Sequence, residues 1–234
     1  MAIKRYIATK DNTITNAYMF NLTTLATGSN MGASDILEVF SIYGQNSSST
    51  DGYSSELSRI LLEFQVTGSQ SIKTDRDNGV LPASGNVSFY LKLYNARHSQ
   101  TLPRNYQLAV EPLSAFWQEG YGLDMDGYTD ITHGNKGSNW VRATNAAAWT
   151  AQGGDALTSP ASLTVKQKFD TGVEDLEVDI TPLMEYWLAG TQNNYGVRIK
   201  LDGEYEASGT MNTSGSARSY YTKRFFGRNS EFFY

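Results

Sequence analysis

Cysteine is absent from the 234 residues, and histidine occurs only twice. The first absence removes any disulfide framework and any thiolate zinc site, so stability must come from packing and hydrogen bonds, and redox compartment cannot be read. The second leaves no paired metal ligands: His98 in NARHSQT and His133 in DITHGNKG sit in loop-like stretches without ligand spacing, and each reads as a surface or satisfied histidine. Charge is sparse as well. Charged residues make up 18% of the chain and sum to −5, which gives no broad attraction to nucleic acid or to an anionic membrane. A local basic patch is the exception to look for, because Arg218, Lys223, Arg224 and Arg228 crowd the C-terminal end. No Gly-x-Ser-x-Gly elbow, phosphate-cradling loop or dinucleotide fingerprint occurs in a suitable context, so neither nucleophilic catalysis nor any cofactor is expected. The opening MAIKRYIATKDNTIT has no long apolar run, and a secretory signal or spanning helix is not expected there.

What the chain does have is fifteen Tyr and ten Phe, residues that fit a pleated, half-buried surface. Apolar and polar residues alternate over Ile36 to Tyr43, Arg59 to Val66, Val87 to Asn95, Tyr106 to Leu113, Leu163 to Phe169, Leu176 to Ile180 and Tyr195 to Leu201. With both chain ends counted, roughly ten strands are predicted, each with one greasier side. Two sheets burying such sides against each other make an all-β, jelly-roll-like antiparallel β-sandwich, a single domain over residues 1–234.

One stretch breaks this texture. In LEVDITPLMEYWLAGTQNNYGVRIKL, Asp179 and Thr181 are good N-cap types, Pro182 suits a first turn, Leu183, Met184, Tyr186 and Trp187 supply an apolar face, and Gly190 stops it. A short helix between two strands is predicted. Three long polar connections, 44–56, 119–154 and 202–219, are rich in Ser, Thr, Gly and Asn, and are expected to lack a core of their own and to be functional, ordered by a partner or disordered.

Chemistry is sought in three places. Asp124, Asp126 and Asp130 in GLDMDGYTDI could converge on Ca²⁺ around Gly127, although the EF-hand spacing is missing; Asp residues bonding their own backbone in a turn are the alternative. Glu63, Glu111, Glu119, Glu177 and Asp179 are carboxylates from which a glycosidase could draw a pair. Tyr90, Tyr94, Tyr121 and Tyr128 could stack on sugar rings or lie against a neighbouring subunit. None of these amounts to a committed catalytic, cofactor or metal site.

The order of motifs resembles the DNRLRE-type jelly-roll family. That pattern falls on Arg59 and Phe64, Leu91, Leu93 and Tyr94, Trp117 and Glu119, Asp179 and Thr181, then Trp187, Gly190, Asn194 and Gly196, with Trp140 and Trp149 isolated in a long loop. The segments IATKDNTITNAY, GSNMGASDILEVFSIYGQ and YYTKRFFGRNSEFFY are similar to virion structural proteins of tailed, particularly marine, phages. The resemblance implies a non-enzymatic jelly-roll module located in the virion, the N-terminal part of a longer protein. It would decorate or anchor an external part of the particle, such as head decoration, collar or fibre base. Expected partners are other virion proteins and copies of the chain itself, not nucleic acid or membrane. A carbohydrate-binding module recognising host-surface polysaccharide is the alternative. The resemblance further implies that the short helix closes one end of the sandwich, with Trp187 as the plug.

Overall fold

The structure, a computed structural model, describes residues 3–44, 54–98, 102–128, 137–206 and 220–231. Among them the chain forms β1 (Lys10–Thr15), β2 (Ile36–Gly44), β3 (Ser54–Glu63), α1 (Ile72–Asp77), β4 (Tyr90–Leu93), β5 (Tyr106–Pro112), β6 (Val165–Phe169), β7 (Leu176–Asp179), α2 (Thr181–Leu188), β8 (Val197–Leu201) and β9 (Tyr220–Phe226). Every strand pairing is antiparallel.

The larger sheet runs β6-β5-β8-β3-β2-β9, with β1 also paired to β3, and β4 and β7 form a two-stranded sheet. β3 is where the large sheet turns. Its first half pairs with β2, as in Ser41↔Leu57, while Ile60 to Leu62 pair with β8 and Ser58 to Glu63 with β1. The small sheet attaches to β9 through the Asn95↔Phe225 bridge and the bond from Phe226 N–H to Tyr94 O at 3.0 Å. Leu108 of β5, Ile199 of β8 and Ile60 of β3 then meet Val39 of β2, Phe225 of β9, Leu91 of β4 and Val178 of β7 in one core. The ends of the large sheet and the small sheet thus enclose a common interior, and the fold is the all-β, jelly-roll-like sandwich that the alternation predicts. Each large apolar side chain buried there contributes roughly 1.5–3 kcal/mol relative to exposure.

α2 runs from β7 in the small sheet to β8 in the large one and buries Leu183, Met184 and Trp187 in that same core. Its start differs from expectation. The N-cap is Ile180 with no side-chain cap bond. Asp179 Oδ1 instead closes a turn onto Thr181 N–H at 2.8 Å, and the Thr181 hydroxyl accepts from Phe89 N–H at 2.8 Å. Both oxygens that could have capped the helix fasten it to its surroundings instead. Gly190, at φ 71°, ends it as predicted. A second helix, α1, is unpredicted: Ser71 accepts from Thr74 N–H as its N-cap, and only Ile72 is buried, so the sequence shows no helical stripe.

The long connection after Trp117 also departs from expectation. Its second described stretch, from residue 137 onward, folds back to pack Trp140, Ala143 and Trp149 with Trp117, Leu113, Leu61, Leu57 and Ile14 in a second apolar cluster. Leu61 faces away from Ile60 and Leu62 on β3, so this cluster covers the back of the large sheet. A buried clamp holds it down. Arg59 Nη1 and Arg198 Nη1 both donate to the Gly153 carbonyl, at 2.8 and 3.3 Å, and Arg198 also reaches the Gly154 carbonyl. Arg59 pairs with Glu206 at 2.9 Å, Arg198 pairs with Glu111, and the Arg59 guanidinium lies 5.0 Å from the Trp140 ring. Gly153 sits at φ 84°, where a Cβ would stand 2.4 Å from Arg59 Nη1, so only glycine lets the clamp close.

Candidate interaction surface

Beyond β1 the chain makes a tight hairpin. Tyr18 bridges to Leu25, Met19 N–H bonds Thr24 O at 2.8 Å, and Asn21 Oδ1 accepts from Thr23 and Thr24 N–H. Its tip is apolar and open to solvent: Phe20 is 91% exposed, Leu22 58% and Leu25 45%. Leu22 moreover adopts φ 55°, a left-handed conformation that costs a branched side chain roughly 1–2 kcal/mol. At 58% exposed, Leu22 gains only partial burial among the described residues to set against that cost.

The acidic loop lies against this hairpin. Asp126 Oδ1 accepts from Phe20 N–H at 3.1 Å, and Ser29 Oγ donates to Met125 O at 2.6 Å. Asp124 Oδ1 accepts from the N–H groups of Asp126 and Tyr128 at 3.0 and 3.2 Å, the turn-closing use of an Asp side chain. Asp130 lies outside the described residues; among those described, no three His, Cys, Asp or Glu side chains are grouped to hold a metal. The loop adds exposed Leu123 and Tyr128 beside the hairpin, with exposed Tyr121 next along the chain.

The four tyrosines thus divide. Tyr121 and Tyr128 belong to the loop; Tyr90 and Tyr94 stand on the outer face of the small sheet, in and just beyond β4. Between them Lys92 pairs with Glu177 at 2.9 Å and lies 5.3 Å from the Tyr94 ring. Tyr90 is in register with Asp179.

The candidate carboxylates are occupied. Glu63 pairs with Lys10 at 2.9 Å, Glu111 with Arg198, Glu177 with Lys92, and Asp179 closes its turn. Glu119 takes Arg228 Nη2 at 2.7 Å and Asp11 N–H at 2.8 Å, while Asp11 accepts from Arg228 N–H. Asp11, which the sequence did not single out, is buried, and burial together with the Glu119 charge pushes its carboxyl up to about 6 against the opposing pull of Arg228. Next to it, buried Asn12 and Asn30 both donate to Ser138 O, at 3.0 and 2.7 Å, gathering strand and loops into a polar knot.

The basic patch does not form from the described residues. Lys223 is buried, Arg224 pairs with Glu38 at 2.9 Å and Arg228 with Glu119, because alternate residues of β9 face the core and its outward cations meet acidic neighbours; Arg218 lies outside the described residues. His98 Nε2 accepts from Arg224 N–H at 3.0 Å, and burial with the charges of Arg224 and Lys223 lowers its pKa. His133 lies outside the described residues.

Two of the residues behind the family resemblance hold neighbouring segments together. Trp117 Nε1 donates to Tyr195 O at 2.9 Å, and Asn194 Nδ2 donates to Phe64 O at 2.6 Å. No protein-family model matches the chain, and no curated protein matches it.

Proposed function

We propose that the chain is a non-enzymatic structural module of a tailed-phage virion, a jelly roll of the DNRLRE type that attaches to other virion proteins or to copies of itself. The observation that carries this reading is the exposed apolar hairpin tip of Phe20, Leu22 and Leu25 beside Tyr128. Contiguous exposed apolar surface on a rigid support is characteristic of interaction sites. The strained Leu22 is only partly buried among the described residues, and a neighbouring subunit would complete its burial. The sequence likeness to phage virion proteins gives the setting, and the engaged carboxylates favour a structural over a catalytic role.

Sedimentation of the wild-type protein at rising concentration tests the self-association arm, and a map of an assembled particle tests attachment to other virion proteins. The expectation is that the hairpin contacts a neighbour in at least one, and that Phe20→Ser weakens that contact. A hairpin left in solvent in both would refute the reading. Carbohydrate recognition is the second reading, favoured by Tyr90 and Tyr94 on one outer face with Lys92, Glu177 and Asp179 alongside. Retardation on a polysaccharide gel that disappears in Tyr90→Ala would support it.

A further inference from the structure

Lys223 is fully buried, 0% exposed, on the inward face of β9. Its Nζ donates to Asn95 Oδ1 at 2.6 Å, Gly172 O at 2.9 Å and Glu174 O at 2.6 Å. All three acceptors are uncharged. Aromatic rings wall the site: Nζ lies 5.1 Å from the centroid of Phe169 and 5.2 Å from that of Phe225, and Tyr106 stacks on Phe169 at 5.2 Å. Burial pulls the ammonium pKa down to about 8 against the charges of Glu174 and Asp175, so roughly a tenth of the amine is neutral near pH 7.

Asn95 is fixed opposite. It bridges to Phe225, and its N–H donates to Asp175 Oδ1 at 2.8 Å. Beside them, Glu174 Oε1 accepts from Asp170 and Thr171 N–H at 3.1 and 2.7 Å, whereas Glu174 Oε2 is shielded from solvent without a hydrogen-bond partner among the described residues. Burial would raise this carboxyl, but the bonds from Thr171 and Gly172 outweigh it and hold the group at about 2, as a carboxylate. An amine and a carboxamide therefore share one desolvated corner, with the Glu174 carboxylate adding a negative charge nearby. Holding reactants so removes most of the entropy barrier to their condensation, and a desolvated lysine is a competent nucleophile.

The geometry points to an intramolecular isopeptide bond between Lys223 Nζ and Asn95 Cγ, formed without a cofactor. The neutral amine attacks Cγ, the Nζ–Cγ bond forms, the Cγ–Nδ2 bond breaks, and Nδ2 leaves as ammonia. The proton released by Nζ passes to the departing nitrogen, so the step balances. No oxidant or reductant is consumed. The product amide keeps one N–H for the Gly172 or Glu174 carbonyl and removes a buried charge. It staples β9 to the residue just beyond β4, tying the small sheet to the large one in a chain without cysteine.

Intact-mass measurement of the folded full chain tests this directly. The expected mass is about 17 Da, one ammonia, below the sequence value, and tryptic digestion should yield a branched peptide joining Asn95 to an uncleaved Lys223. The branched peptide distinguishes the bond from succinimide formation at an asparagine, which loses the same mass without a cross-link. Asn95→Ala should show its own full sequence mass and cleavage at Lys223. A folded wild-type protein at full sequence mass, or a loss of ammonia without the branched peptide, overturns the proposal.

Discussion

Asp11 shows what burial does to a single carboxylate. Its pKa is about 6 in the folded protein against an ordinary 3.8, so between those values the folded state holds more protons than the unfolded. Stability should therefore fall as pH rises from about 4 to about 6 and level off above, a contribution of roughly 2–3 kcal/mol. Asp11→Asn keeps an oxygen acceptor for Arg228 N–H and should flatten that slope; urea midpoints at pH 4.5, 5.5 and 7 would read it. Parallel slopes in variant and wild type would assign the dependence elsewhere. Glu174 acts in the opposite sense, its pKa lowered to about 2, with stability lost only as pH falls below about 4.5. None of this was legible beforehand. The bonds to Asp11 come from residue pairs 108 and 217 positions apart, and nothing local in KDNTIT marks its Asp as buried. Lys223 was misread as patch material for the related reason that charge suggests surface, although its alternation with Phe225 already placed both on one face of a strand.

At the scale of elements, period-two alternation identified most strands, since a sheet buried on one face imposes that period. It failed where side chains gave no contrast: the first half of β3, SSELS, is mostly polar, and its pairing with β2 is not visible in the sequence. Phe64 to Val66 alternate correctly but leave the strand, their carbonyls taken by Asn194 and by the N–H groups entering α1. The short helix was legible because Pro182 and Gly190 bracket it. Trp187 is 2% exposed and its Nε1 has no hydrogen-bond partner among the described residues. Trp187→Ala should cost roughly 3–5 kcal/mol, whereas Trp187→Phe, which discards the unpaired N–H and keeps most of the ring, should cost clearly less. Thermal melts of the two variants give the comparison, and equal losses would show that the packing of the whole indole, not ring bulk in general, is what the core requires. The second cluster is held differently. Arg198→Ala leaves Glu111 and the Gly154 carbonyl without their partner and should cost roughly 3–5 kcal/mol. The first visible effect should be protease nicking in the excursion carrying Trp140 and Trp149; a variant as resistant as wild type would show that the tryptophans alone hold it.

For the whole molecule, the question is why a chain would keep a leucine in a left-handed conformation on an exposed hairpin tip. Asn tolerates that conformation at little cost, and the flanking bonds from Asn21 Oδ1 and Met19 O to the turn do not involve the Leu22 side chain. Leu22→Asn should thus stabilise the isolated chain by up to about 1 kcal/mol, a rise of a few degrees in melting temperature for a protein of this size. If the tip is an interface, the same change should weaken assembly, because a buried Leu is lost from the contact and a polar amide put in its place. Opposite signs in the two measurements are what selection for contact over stability produces. A variant that is more stable and assembles unchanged would mean the strain serves no contact. One that is less stable would mean Leu22 packs within its own chain, and the interface would then have to be sought on the outer face of β4.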